Sequence, residues 1–204
     1  VQLFDTVGLN NINLKAIIDS NVLDYNIGYE NLSRFDNYGY LNGRIDLNNL
    51  NEIKTSFGES KFVYRDTVWG INPNNSIVIS RNNVKINNFK LSSFGQYLLI
   101  DGVASSASRD FLKVTMNGLE LGSFKYFWDR LKLDVIGDAT GEILFRGLFG
   151  NPVFTSNLSI SRLRLNDQVF GKVDLGASFV PEERKIGLEL LVKNTKNRFD
   201  AKTL

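Results

Sequence analysis

The stretch VFGKVDLGASFV, residues 169 to 180, sets Val169, Gly171, Val173, Leu175, Ala177 and Phe179 on one side of an extended chain and Lys172, Asp174 and Ser178 on the other. Alternation sustained over this length fits a half-buried β-strand and no helix, because successive side chains of a strand point to opposite faces. The next run, RKIGLELLVKN, repeats the pattern: Ile186, Leu188, Leu190 and Val192 share a face, with Lys185, Glu189 and Lys193 opposite. Between them PEER is a short polar turn, so a hairpin over residues 168 to 193 is expected.

The same period recurs along the chain, in Ile12, Leu14, Ala16 and Ile18, in Val84 and Ile86, and in Leu112, Val114 and Met116. FVYRDTVWGINPNNSIVISRNNVKINNFKL, residues 62 to 91, alternates, is expected to turn at its Asn-rich stretch, and alternates again. One segment departs from the pattern. In GLELGSFKYFWDRLKLD, Leu121, Phe124, Phe127, Trp128 and Leu131 follow a helical stripe, which predicts a short helix near residues 119 to 131. GDAT at 137 to 140 reads as a turn and as the best internal boundary. EILFRGLFGNPVFTSNLSISRLRL strings two long strands around Asn151 and Pro152. A closed sandwich would cover their apolar face with a second sheet, and an open, curved sheet would leave it lining a groove; periodicity does not choose between these.

Composition removes most chemistry. The chain has 204 residues, 43% of them hydrophobic, enough for a sizeable core. It contains no Cys and no His, which excludes thiolate nucleophiles, imidazole bases and ordinary zinc sites. A net charge of +2 argues against nucleic acid. Glu182 and Glu183 are adjacent and would diverge on a strand, and Asp129, Asp134 and Asp138 lack the spacing of a calcium loop. No phosphate loop, dinucleotide fingerprint or nucleophile elbow is present, so neither enzymatic activity nor a cofactor is expected. The aromatic residues alternate with polar ones, as core or groove lining does. No apolar run approaches the ~18 residues of a spanning helix. With Val1 first and no leader pattern, the chain reads as a piece of something longer, any signal or anchor lying outside it.

Two stretches carry a resemblance. GEILFRGLFGNPVFTSNLSISRLRLNDQVFGKVDLGASF resembles the repeated signature of the TamB family, the AsmA-like translocation and assembly module proteins that span the bacterial envelope. The places of that signature hold Gly141, Gly147, Pro152, Leu158 to Leu163, and Phe170 with Gly171. The earlier DTVWGINPNNSIVISRNNVKINNFKLSSFGQYLLIDGVAS is similar to the family's other recurring stretch, ending in Leu98 to Gly102. The resemblance covers about residues 60 to 195, the first 58 matching only as generic strands, and the Asn-rich style is similar to members from Bacteroidetes.

The resemblance implies an all-β fold: an elongated curved sheet folded into a β-taco with an apolar groove, residues 1 to 204 being one fragment of that region. Its lining would be Ile143, Phe145, Leu158, Ile160, Val173, Leu175, Ala177, Phe179, Ile186, Leu188, Leu190 and Val192. It further implies a periplasmic segment of a protein anchored in the inner membrane, with phospholipid acyl chains and an outer-membrane barrel of the TamA/BamA type as partners. The role would be non-catalytic, carrying phospholipid between membranes or assisting outer-membrane protein assembly. The alternative is a structural or adhesive cell-surface β-sandwich, its apolar faces packed as a core.

Overall fold

The computed structural model describes residues 11–31, 37–49, 51–64, 67–180, 185–193 and 198–203. Its described residues are strand almost throughout, as the alternation predicts, with one helical segment. The chain divides into two units, Val1–Ser93 and Phe94–Leu204.

The first unit contains β1 (Asn11–Asp19), β2 (Val22–Asn31), β3 (Asn37–Asp46), β4 (Glu52–Phe57), β5 (Ser60–Tyr64), β6 (Thr67–Ile71), β7 (Ser76–Ser80) and β8 (Asn83–Ser93). β1, β2 and β3 form an antiparallel meander. β3 then pairs with both β4 and β5, and β8 with both β7 and β6. Since β4 and β5 are each antiparallel to β3, they run the same way and form one interrupted strand. β6 and β7 form a second, against β8. The Asn-rich stretch 72 to 75 is therefore no chain reversal, contrary to the expectation from sequence. Asn and Pro signal a turn because Asn side chains compete for backbone partners and Pro withholds a donor. Here the same properties interrupt a strand without reversing it.

Side chains repair these interruptions. Between Tyr40↔Lys61 and Gly43↔Phe57 the register slips by one residue, so Leu41 and Asn42 face Gly58, Glu59 and Ser60. The buried Ser60 hydroxyl accepts from Asn42 N at 3.0 Å, and Asn42 Nδ2 donates to Glu59 O at 2.6 Å. Asn26 Nδ2 donates to Asn42 Oδ1 across the next strand pair. On the far side Asn75 imitates a strand residue: its Oδ1 accepts from Phe57 N and its Nδ2 donates to Phe57 O, both at 2.9 Å. Asn88, at φ 50°, donates to Asn74 O at 2.8 Å. A line of asparagines thus crosses the strands where their ladder breaks. Asn75→Ala, at a buried position, strips both backbone groups of Phe57 of their partner and is expected to cost the first unit ~1–3 kcal/mol in urea denaturation. An unchanged midpoint would show that water replaces the side chain there.

Aromatic rings fill gaps over two glycines of β3. A Cβ at Gly43 would lie 2.2 Å from Tyr25 Oη, and one at Gly39 2.7 Å from Tyr29 Oη. Each ring covers backbone that has no side chain of its own. Burial pushes both phenols above their ordinary pKa, opposed at Tyr25 by its hydrogen bond with Thr55. The other face is wet: Arg44 Nε and Nη2 donate to the two Asp24 oxygens at 2.7 and 2.9 Å, which holds that carboxyl below the usual range.

The second unit is a continuous antiparallel meander of β9 (Gln96–Ser105), β10 (Phe111–Glu120), β11 (Val135–Arg146), β12 (Val153–Leu165), β13 (Gln168–Val180), β14 (Lys185–Lys193) and β15 (Arg198–Thr203). The hairpin of β13 and β14 is present, while its PEER turn lies outside the described residues. A 3-10 turn (Leu121–Phe124) and α1 (Lys125–Arg130) fall within the span predicted as helical. Trp128 Nε1 donates to Leu121 O at 2.7 Å, and Lys125 pairs with Asp129 at 2.6 Å one turn on. The helix stops where Lys132 takes φ 56° and Leu133 N donates to Trp128 O, a C-terminal cap with lysine in the place glycine prefers.

GDAT is strand, not a turn or boundary: all four residues lie inside β11, and the two units divide between Ser93 and Phe94. Gly137, at φ 150°, sits in a register slip between Ile136 and Asp138, so its conformational freedom serves a bulge. It has counterparts on its neighbours. Slips occur between Met116 and Leu119 on β10 and between Ile160 and Leu163 on β12, and Gly171 on β13 has φ 78°. All border the row Leu119↔Ala139↔Ile160↔Val173. Bulges bend a strand and increase its twist, so this line of bulges is where the strands would crease. Its polar residues are paired: Gly118 N donates to Thr140 Oγ1 at 2.9 Å, and Arg162 Nε and Nη2 to Asp138 Oδ2 at 2.9 and 2.6 Å.

Candidate functional site: an apolar face of the second unit

Residues directly opposite in adjacent strands share a face, so the register of the second unit sorts its side chains into rows. One row is Leu112↔Phe145↔Phe154↔Phe179, continued at the Ile186 position of β14. The next is Ile100↔Val114↔Ile143↔Ser156↔Ala177, with Leu188 in register. A third runs Leu98↔Met116↔Gly141↔Leu158↔Leu175↔Leu190. The last is Leu119↔Ala139↔Ile160↔Val173↔Val192, beside the crease. Every residue named above as groove lining therefore occupies a position on this one face.

Burial is graded across it. Along the crease row Val173 is 1% exposed and Ala139 2%, and Leu119, Ile160 and Val192 are buried too. The 3-10 turn packs against β11 at this end, and a Cβ on its Gly122 would stand 3.8 Å from Val135 O. Away from the crease Ile143, Phe145, Leu158, Leu175, Ala177, Phe179 and Leu190 are half-buried. The Phe145 and Phe154 ring centroids are 6.3 Å apart, as are those of Phe154 and Phe179, the second pair stacked at 19°.

Sequence reasoning missed part of this face and overextended it elsewhere. Leu98, Ile100, Leu112, Val114, Met116 and Phe154 belong to it, and the parity of Phe154 with Leu158 and Ile160 in VFTSNLSI was a sufficient signal for that ring. Val169 does not belong. It lies beyond the positive-φ Gly171 and is 71% exposed, because the bulge there breaks the period that the strand otherwise keeps.

The opposite face is mainly polar, with Leu99↔Thr115↔Glu142↔Asn157↔Gly176↔Glu189 in one row, Leu144 and Leu191 in others, and an ion pair at 3.5 Å from Lys113 to Glu142. No group of three or more acidic, His or Cys side chains that could hold a metal ion occurs among the described residues. None of the described helices is long and apolar enough to cross a membrane. Chemically, the half-buried face can do one thing well, which is to remove hydrocarbon from water.

The class defined by these observations is an all-β antiparallel meander with one mainly polar and one apolar face. Neither a protein-family model, nor a curated protein, nor a solved structure matches the chain.

Proposed function

We propose that the second unit holds acyl chains on its apolar face, as a non-catalytic segment of a TamB-like, envelope-spanning protein. In this reading the crease folds the sheet lengthwise into a β-taco, and the rows of Phe145, Ile143 and Leu158 become the wall of an open groove. The protein sits in the periplasm, tied to the inner membrane, and works with an outer-membrane barrel of the TamA/BamA type. Its cargo is phospholipid in transit between membranes, or the apolar segments of an outer-membrane protein being assembled.

The observation that carries this reading is a half-buried apolar face, uninterrupted by charge from Leu98 to Leu190. Transfer of each acyl CH₂ from water to such a surface gains ~0.8 kcal/mol, so a lipid is held along its length without tight recognition of its head. The fully buried crease row favours a second reading, in which the unit is a structural or adhesive β-sandwich and only the packed core matters.

Mass spectrometry of organic extracts of the purified chain decides between them. Phospholipid is expected to co-purify, to fall several-fold in Leu175→Arg, and to be unchanged in Lys172→Glu on the opposite face. A lipid-free chain that also fails to take up short-chain phospholipid would sink the groove reading.

A further inference from the structure

At one end of the second unit the loop after β9 and the loop between β11 and β12 flank an open cavity of about 400 Å³. Its wall includes Ser106, Ser108, Arg146, Gly147, Gly150 and Asn151. We propose that this cavity binds a single phosphate group, gripped by Arg146 and the Ser106, Ser108 and Asn151 side chains around it.

The local structure is built to hold the cavity open and its cation in place. Phe149 N donates to Ser105 O at 3.1 Å and ties the two loops together. Gly147, at φ 58°, takes a bend in which a Cβ would meet Asn151 O at 2.8 Å, and Gly150 lets the second loop approach Ser106, a Cβ there reaching the serine side chain at 3.4 Å. Arg146 lies over the Phe111 ring, 5.6 Å from its centroid, which steadies the guanidinium without consuming its donors. Among the described residues Arg146 has no ion-pair partner, and no carboxylate lines the cavity. Asp110, the nearest acid in sequence, is engaged elsewhere: its Oδ2 accepts from Ser105 Oγ at 2.7 Å, and Arg109 Nε stands 3.9 Å from its Oδ1. The guanidinium of a half-buried arginine, beside two hydroxyls and an amide and with no acid to neutralise it, is complementary to an anion with several acceptor oxygens. Phosphate fits the planar fork in a way that a monovalent halide does not.

Arg146 directly follows Phe145, and Val153, also in the cavity wall, directly precedes Phe154. Arg146 pairs with Phe111 and Val153, and these three lie one residue along from Phe145, Leu112 and Phe154, so the cavity stands at the strand ends of the phenylalanine row but toward the opposite face. If the groove reading above holds, the phosphate is a lipid head whose chains pass around the strand ends to reach that row; the site itself does not depend on that reading.

The test titrates the 204-residue chain, isotope-labelled, with inorganic phosphate, glycerol 3-phosphate and the water-soluble dihexanoyl phosphatidic acid, following amide resonances of residues 106 to 108 and 147 to 151. All three are expected to shift these amides saturably. Arg146→Gln weakens binding at least tenfold, Arg146→Lys restores part of it, and Arg109→Gln, in the same loop but not in the wall, leaves it unchanged. Spectra away from the cavity report whether each variant is folded. Binding of the lipid at least tenfold tighter than glycerol 3-phosphate supports a lipid head as the source. Equal binding supports the site as one for free phosphate and counts against the groove. The absence of a saturable shift with any probe, or a shift unaltered by Arg146→Gln, overturns the proposal.

Discussion

Val173→Asp is expected to remove ~4 kcal/mol or more from the stability of the second unit, whereas Leu175→Asp, two residues along the same face, removes less than ~2 kcal/mol. Val173 is 1% exposed, within the row beside the crease, with Ile160 and Val192 paired on either side. No described polar group pairs with a carboxylate there, and burying an unpaired charge costs several kcal/mol against a total stability of ~5–15 kcal/mol. Leu175 is only half-buried, so an aspartate there keeps part of its hydration and the loss approaches that of the leucine's own burial. Guanidinium denaturation of the two variants measures the contrast. Equal, large losses at both positions would mean that the face is closed along its whole width, and the groove reading would fail with them.

The second large effect belongs to backbone geometry. Gly141 lies on the apolar face at φ 138°, and a Cβ there would stand 2.1 Å from Asn157 O, a backbone atom of the neighbouring strand that cannot step aside alone. Gly141→Val combines that overlap with a backbone conformation that β-branched residues avoid, and is expected to cost ~3–4 kcal/mol. Gly176 is the control. It lies on the polar face, and the nearest atom to its Cβ would be Glu189 Cβ at 3.7 Å, an ordinary contact. Valine suits an extended strand, so Gly176→Val should stay within ~0.5 kcal/mol of the parent or stabilise it. Thermal melts in parallel test the pair, and a tolerated Gly141→Val would show that the strands can separate locally to admit a side chain.

Strand identity was legible because each strand carries its own period: Ile143 with Phe145, and Leu188 with Leu190, need no knowledge of their neighbours. The one helical segment was legible for the same reason, Leu121 and Trp128 breaking the period of two. What escaped was the meaning of glycine and asparagine. Gly137-Asp138 and Asn74-Asn75 carry strong local turn signals, yet whether a chain reverses or only slips there depends on whether the next strand continues to pair, which is a non-local fact. The apolar face was half legible. Parity assigns residues to a side, but the number of strands that contribute to that side, and so the place of Leu98 and Met116, follows only from the register.

The crease also determines where this chain can gain or lose a residue. Where β12 and β13 keep a regular register, deleting one position exchanges every inward and outward side chain beyond it, bringing residues such as Lys172 onto the apolar side. At Gly118, Gly137 or Asn88 the register already absorbs an extra residue or a left-handed one, so a change in length there is taken up locally. Related chains should therefore differ in length along the two lines of bulges and in the loops while keeping strand length elsewhere, so that the sheet drifts in contour without turning inside out.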